Sequence, residues 1–168
     1  LAIIIALNIP PIYRAASSFT LPSSSSIYTI NQLQFKNESK ESVFSIFLNK
    51  LSSKEFQKKV FVNGGYLTEF NPNNTAIDDI DRFVLDSIMS VTIYTPDVKD
   101  IAANQKFNFF NEIPYVATME GTNPSAISNY LNELVAAADV STVDELIQLN
   151  KEKVKMRLNE ITIDRKLF

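Results

Sequence analysis

The sequence contains no cysteine, no histidine and no tryptophan, and its only glycines are Gly64, Gly65 and Gly121. Without cysteine there is no thiolate nucleophile, no disulfide and no Cys-containing zinc site, and the redox compartment stays open. Without histidine the usual general base near neutral pH, and the commonest metal ligand, is missing. Ser-His-Asp, Cys-His and HExxH schemes are therefore excluded. Three glycines at those positions cannot form a GxGxxG or a Walker loop, which removes phosphate cradling of either kind. The net charge is -3 and no basic stripe with interleaved aromatics occurs, so nucleic acid is not expected as a partner. Carboxylate pairs, lysine or tyrosine remain as chemical groups, but elimination favours binding or assembly over catalysis. No catalytic residue, cofactor or metal is expected.

What is present suits a folded domain with a real core. The 168 residues are 45% hydrophobic and 21% charged, and 12 Phe and 6 Tyr are spread along the chain. Three Gly and seven Pro are too few for collagen-like or linker-like sequence. The chain starts at Leu1, and Leu1 to Ile12 is apolar apart from Asn8. That stretch is shorter than the roughly 20 residues a helix needs to span a bilayer. It reads as the tail of a transmembrane helix, ended by Pro10-Pro11 and followed by Tyr13-Arg14, an aromatic and a cation of the interfacial kind. The alternative is a buried N-terminal strand. No basic n-region or small-residue cleavage site supports a signal peptide.

From Arg14 to Leu21 apolar and polar residues alternate with period two, the pattern of a strand, and the serines Ser23 to Ser26 read as a solvated loop. Val43, Phe44, Ile46, Phe47, Leu48 and Leu51 follow at helical spacing. Ser52-Ser53-Lys54-Glu55 then supplies a capping box for a short helix carrying Phe56, Val60 and Phe61, ended by Asn63-Gly64-Gly65 as a left-handed cap. Thr75 with Asp78 opens a third helix through Ile77, Ile80, Phe83, Val84 and Ile88. Asp78, Asp79 and Asp81 lie in its first turns, where the macrodipole favours carboxylates, and their spacing fits no EF-hand. Ser90 to Thr95 and Tyr115 to Glu120 are further strands. Phe107, Phe109 and Phe110 suit core packing better than a ligand groove.

Asn123 and Pro124 form a strong helix start, an N-cap followed by a proline whose missing amide costs nothing at the first position. No Gly or Pro interrupts the pattern from there to Phe168, and the last residues carry no cap, which suggests that the helix continues. Two apolar stripes lie on roughly opposite sides at about 100° per residue. The first is Ile127, Tyr130, Leu131, Leu134 and Ala138; the second is Val143, Ile147, Val154, Leu158 and Ile161. Either one helix changes face at Asp139 to Ser141, or it breaks there and Ser141 caps a separate helix. Spacings of four, three and four from Val143 through Ile147 and Asn150 to Val154 resemble a short heptad seam with a polar member. The candidate contact residues are therefore Val143, Ile147, Asn150, Val154, Leu158 and Ile161, expected to be exposed within this chain and covered by another helix or protomer. Lys151, Lys153, Lys155 and Arg157 read as a solvated face.

The segments ESVFSIFLNKLSSKEFQKKVF, from Glu41 to Phe61, and GTNPSAISNYLNELV, from Gly121 to Val135, resemble the Wzz-type chain-length determinants, the polysaccharide co-polymerases of the bacterial inner membrane. The order of tail, strand, helices, strand and long helix is similar over most of residues 13 to 168. Asn123 stands where that family often has Asp, and Tyr130 where it often has an aromatic. The resemblance implies an α+β chain: the end of a transmembrane helix at 1–12, a small membrane-proximal periplasmic α/β base with a mixed sheet at 13–122, and the start of a long extended helix at 123–168. It further implies bell-shaped homo-oligomers, anchored by flanking transmembrane helices, that act with a Wzy-type polymerase to set O-antigen or related chain length, with the growing polysaccharide as a further candidate partner. The return half of the helical hairpin, the last base strand and the second transmembrane helix of that family are not in this sequence, as in a truncated chain. No catalytic residue carries over. The rival readings are a membrane-tethered extracytoplasmic sensing or solute-binding domain using Tyr94 and Phe107 to Phe110, and a glycan-acting enzyme using Asp97 with Asp100 or Glu112 with Glu120.

Overall fold

The computed structural model describes residues 11–32, 38–71, 79–94 and 114–166. The chain is α+β, a three-stranded sheet with helices, ending in one long helix. In chain order the elements are β1 (Tyr13–Phe19), α1 (Ser24–Gln32), α2 (Lys40–Ser52), α3 (Lys54–Asn63), α4 (Tyr66–Phe70), α5 (Ile80–Ile88), β2 (Thr92–Tyr94), β3 (Tyr115–Gly121) and α6 (Pro124–Lys166). Residues Leu1 to Pro10, which carry nearly all of the expected transmembrane tail, lie outside the described residues, as do Phe107, Phe109 and Phe110. Among the described residues no helix is long and apolar enough to cross a membrane.

The three expected strands join one sheet in the order β1-β3-β2. The mixed pairing expected from the sequence is, among the described strands, antiparallel throughout: Tyr13 to Phe19 face Gly121 to Tyr115, and Thr92 to Tyr94 face Thr118 to Val116. Both flanking strands pair with β3 because its side chains can be buried. Ala117 and Met119 are fully buried on one face, and on the other the Thr118 hydroxyl bonds Thr92 Oγ1 at 2.8 Å and accepts from Arg14 at 3.5 Å. A central strand with both faces occupied suits small, β-branched and flexible apolar residues.

Contacts divide the chain into two compact units that are each discontinuous in sequence, whereas the boundary expected at 122/123 is drawn at the start of the long helix. The first takes Leu1–Thr20 and Leu51–Ala137, the second Leu21–Lys50 and Ala138–Phe168. In the first unit, Phe61, Tyr66, Phe70 and Tyr130 form an aromatic cluster with ring centroids 4.9 to 6.4 Å apart, mostly tilted or edge-on, the geometry favoured by the ring quadrupole. The Tyr130 hydroxyl donates to Gln57 O at 3.0 Å, and that of Tyr66 to Glu133 at 2.6 Å. Burial holds both hydroxyls protonated well above the usual tyrosine range, and the Glu133 carboxylate adds to this at Tyr66. Buried Gln57 is satisfied on both ends, donating to Leu51 O at 2.8 Å and accepting from Lys54 Nζ at 3.0 Å. Lys54 also reaches the last carbonyl of α5, Ile88 O, at 2.9 Å, and desolvation lowers its pKa.

Several helix starts lie one step from where the sequence alone puts them. Ser53, not Ser52, caps α3 by accepting the Phe56 amide, so Glu55 sits one position too early to complete a capping box. Asp79 caps α5 by accepting the Arg82 amide at 3.0 Å; the expected Thr75 opening and Asp78 lie outside the described residues. The serines read as a loop start a helix instead, because Ser23 Oγ accepts the Ser26 amide at 3.1 Å while Ser23 O takes the Ile27 amide. The left-handed turn expected after α3 is made by Gly65 at φ 74°, which also lets the chain enter α4, an element the sequence did not suggest.

Candidate contact surface

Asn123 Oδ1 accepts the Ala126 amide at 3.2 Å and Pro124 occupies the first turn, so α6 starts where the sequence places it. It then runs 43 residues without interruption; no break occurs at Asp139 to Thr142 and Ser141 caps nothing. The reason lies on the buried side. Ile127, Leu131, Leu134, Ala138, Thr142 and Leu146 are all buried, mostly at four-residue steps, and each such step advances about 40° around a helix of 3.6 residues per turn. The buried line thus winds gradually round the helix, which removes the need for a break. Thr142 belongs to this line because its hydroxyl bonds Ala138 O at 2.7 Å, leaving only its methyl to pack.

In the second unit Leu146 meets Ile27 of α1 and Val43 of α2 in one cluster, with Ile46 alongside. Polar contacts bracket it. Lys50 pairs with Glu145 at 2.6 Å, Lys153 approaches Glu38 at 4.0 Å, and Asn31 clasps the Glu38 backbone through both ends of its amide, at 2.8 and 3.0 Å. These contacts consume the flank of α6 that carries Glu145, Leu146 and Lys153.

The predicted contact residues fall elsewhere on the same helix. Val143, Ile147, Val154, Leu158 and Ile161 are exposed, by 37% to 59%, and Val140, which the sequence reading omitted, is exposed by 61%. At about 100° per residue these six fall within about 60° of the helix circumference, a continuous apolar stripe. Val140 was recognisable from sequence: with Ile147, Val154 and Ile161 it completes a strict seven-residue repeat of β-branched residues. Asn150 is half-buried at the edge of the stripe, its Oδ1 buried and without a hydrogen-bond partner.

Charge along this stretch is segregated. Residues 139 to 145 carry Asp139, Asp144 and Glu145, whereas residues 151 to 157 carry Lys151, Lys153, Lys155 and Arg157 against the single acid Glu152. Asp144, Lys151 and Lys155 border one side of the stripe within about 60° of it. Arg157 is tied locally to Glu160 at 3.0 Å.

No protein-family model and no curated protein matches the chain. Chemistry on the rest of the surface is sparse. Among the described residues no group of His, Cys, Asp or Glu is placed to hold a metal ion, and within the expected acidic trio Asp79 caps a helix while Asp81 pairs with Lys58 at 2.8 Å. Asp97, Asp100 and Glu112 lie outside the described residues, so of the carboxylates considered for glycan chemistry only exposed Glu120 is placed. Tyr94, proposed for a sensor pocket, is exposed on β2 with the Arg14 guanidinium 5.9 Å over its ring.

Proposed function

We propose that the chain is the extracytoplasmic portion of a non-enzymatic scaffold that regulates the length of a bacterial surface polysaccharide, O-antigen or a related polymer. In this reading it self-associates at the inner membrane, with the folded part in the periplasm, and acts with a Wzy-type polymerase. The observation that carries the reading is the uninterrupted helix α6, which buries one line of its residues and leaves a second apolar line exposed. Exposed contiguous apolar surface of this kind marks a contact surface, and a scaffold requires one where a monomeric sensor does not. The absence of histidine and cysteine from the whole sequence agrees with a role that transmits geometry rather than chemistry.

The test is the surface polysaccharide length distribution in cells that lose this protein and regain it. A preferred length that disappears with the protein and returns with it supports the reading. An unchanged distribution overturns it.

A further inference from the structure

Among the described residues the two most exposed large apolar side chains are Met89, at 73%, and Ile12, at 72%, and the fold brings both to one end of the sheet in the first unit. Resting on the membrane setting of the proposed function, we infer that this end of the sheet lies against the bilayer, with Met89 as an apolar tip that enters the lipid interface beside the chain's own apolar leading segment.

β1 and β2 both run antiparallel to β3, so both begin where β3 ends. Tyr13 pairs with Gly121. Ser90, just before β2, grips the neighbouring Glu120 through its hydroxyl, which donates to Glu120 O at 2.9 Å and accepts the Glu120 amide at 3.3 Å. Met89 therefore stands across β3 from Ile12 and Tyr13, two strand spacings or roughly 10 Å away. Its exposure is built into the turn. Ile88 and Val91 on either side are buried, and the turn is closed by the Met89 amide on Asp86 O at 3.4 Å and the Val91 amide on Ile88 O at 3.1 Å. Lys54 fixes Ile88 O from α3 as well. A held turn thus aims a long apolar side chain out of the fold, at a place where a solvated turn ordinarily carries Gly, Asn, Asp or Ser.

Sequence, size and charge commit this end to lipid. The sequence that enters β1 through Ile12 is apolar from Leu1 onward apart from Asn8, and Tyr13-Arg14 is an aromatic and a cation of the interfacial kind. The patch is also small. It consists of Ile12, Met89 and the 42%-exposed Tyr13, whereas a stable contact between two proteins covers about 800 Å² on each partner. A domain held at a bilayer by its own chain needs far less, because the tether supplies a high effective concentration and each buried apolar group adds to it. The charges nearby are mixed: Arg14 and Glu120 face each other in register, Lys54 is bonded to Ile88 O, and Glu69 joins Asn123 through its carbonyl. The contact therefore depends on apolar insertion, not on attraction to anionic headgroups.

Because the sequence has no cysteine, a single label can be placed without background. Met89→Cys and Ser18→Cys, each carrying a polarity-sensitive fluorophore, are compared in the full-length protein reconstituted into phosphatidylcholine vesicles. The vesicles are made with and without phosphatidylglycerol, and with and without a lipid that bears a quencher on its acyl chain. Ser18 is exposed on β1 five residues beyond Tyr13, roughly 17 Å from this end at about 3.4 Å per residue. The label on Met89→Cys should be blue-shifted and lose most of its emission to the quencher, equally with and without phosphatidylglycerol, while the label on Ser18→Cys keeps its emission. Both positions are exposed, and circular dichroism of each labelled variant checks the fold. If neither label is quenched in vesicle-bound protein, the inference is overturned and the membrane anchor stands. Equal quenching of both also overturns it. A blue shift on Met89→Cys without quenching, growing with the protein-to-lipid ratio, identifies a protein contact and overturns it as well. Protein that does not stay with the vesicles removes the membrane setting of the proposed function together with the inference. Quenching confined to Met89→Cys combined with an unaltered polysaccharide length on loss of the protein retains the lipid contact and removes the functional reading.

Discussion

Leu146 and Ile147 are neighbours in sequence and nearly equal in volume, yet their side chains lie in opposite environments. Leu146 is 3% exposed within the Ile27 and Val43 cluster, whereas Ile147 is 41% exposed on the stripe. Truncating Leu146 to alanine removes three heavy atoms from a packed site and leaves a void, for which large-to-small core changes give about 2–5 kcal/mol. Truncating Ile147 loses little burial in the isolated chain, and alanine has the better helix propensity, so the net change should stay within about 1 kcal/mol. The assay is urea unfolding followed by helical circular dichroism at several protein concentrations, with the slope compared between variants because two units need not unfold together. The Leu146→Ala loss should be independent of concentration. The Ile147→Ala loss should be small when dilute and grow with concentration, as expected when a residue stabilises the chain by binding another copy. Equal losses for the two variants in dilute solution would show that the stripe is not a free face, and the argument for a contact surface would fall.

Other outcomes follow from the first unit. Tyr130→Ala should cost about 3–5 kcal/mol because it empties the centre of the aromatic cluster, whereas Tyr130→Phe, which keeps the ring and loses only the bond to Gln57 O, should cost about 0.5–1.5 kcal/mol in urea unfolding. Tyr66 and Tyr130 have raised pKa values in the folded chain, so their contribution is complete below the unfolded tyrosine value near 10 and is lost as pH rises above it. Stability measured from pH 9 to 12 should fall, and the fall should be shallower in Tyr66→Phe and Tyr130→Phe. Removing the cap of α5 by Asp79→Ala should cost about 1 kcal/mol in the same unfolding assay, and Ser53→Ala should do the same at α3.

Helix signals with a single chemical solution were legible in the sequence. Asn123-Pro124 has one good reading, an N-cap and first turn, and the folded chain uses it. The three strands were also legible, Arg14 to Leu21 and Tyr115 to Glu120 from alternation and Ser90 to Thr95 from its β-branched residues. Where several hydroxyls or carboxylates compete, the sequence could not choose: Ser52 and Ser53 are both possible caps, and in the folded chain Ser52 ends α2 while Ser53 accepts the Phe56 amide. The run Ser23 to Ser26 looks like a loop because serine is a weak helix former, but tertiary packing of Ile27 on Val43 and Leu146 overrides that preference. On α6 the change of apolar face was visible and its mechanism was not. Thr142 counts as polar in a periodicity argument, yet the backbone bond that satisfies its hydroxyl turns it into a buried apolar surface. The exposed stripe itself was legible because a line of β-branched residues displaced from the first stripe has to meet something other than the core that the first one serves.

The central claim is that this uncovered face of α6 links assembly to polysaccharide length. Its most direct test is the length distribution of surface polysaccharide in cells whose only copy of the full-length protein carries Ile147→Glu and Val154→Glu. Carboxylates buried in a contact with another helix or protomer are costly, whereas the same residues on a free helix face are well tolerated. A broadened or shortened distribution, with the variant folded and present at normal amount, is the predicted result. A distribution identical to that of the unaltered protein would contradict the account.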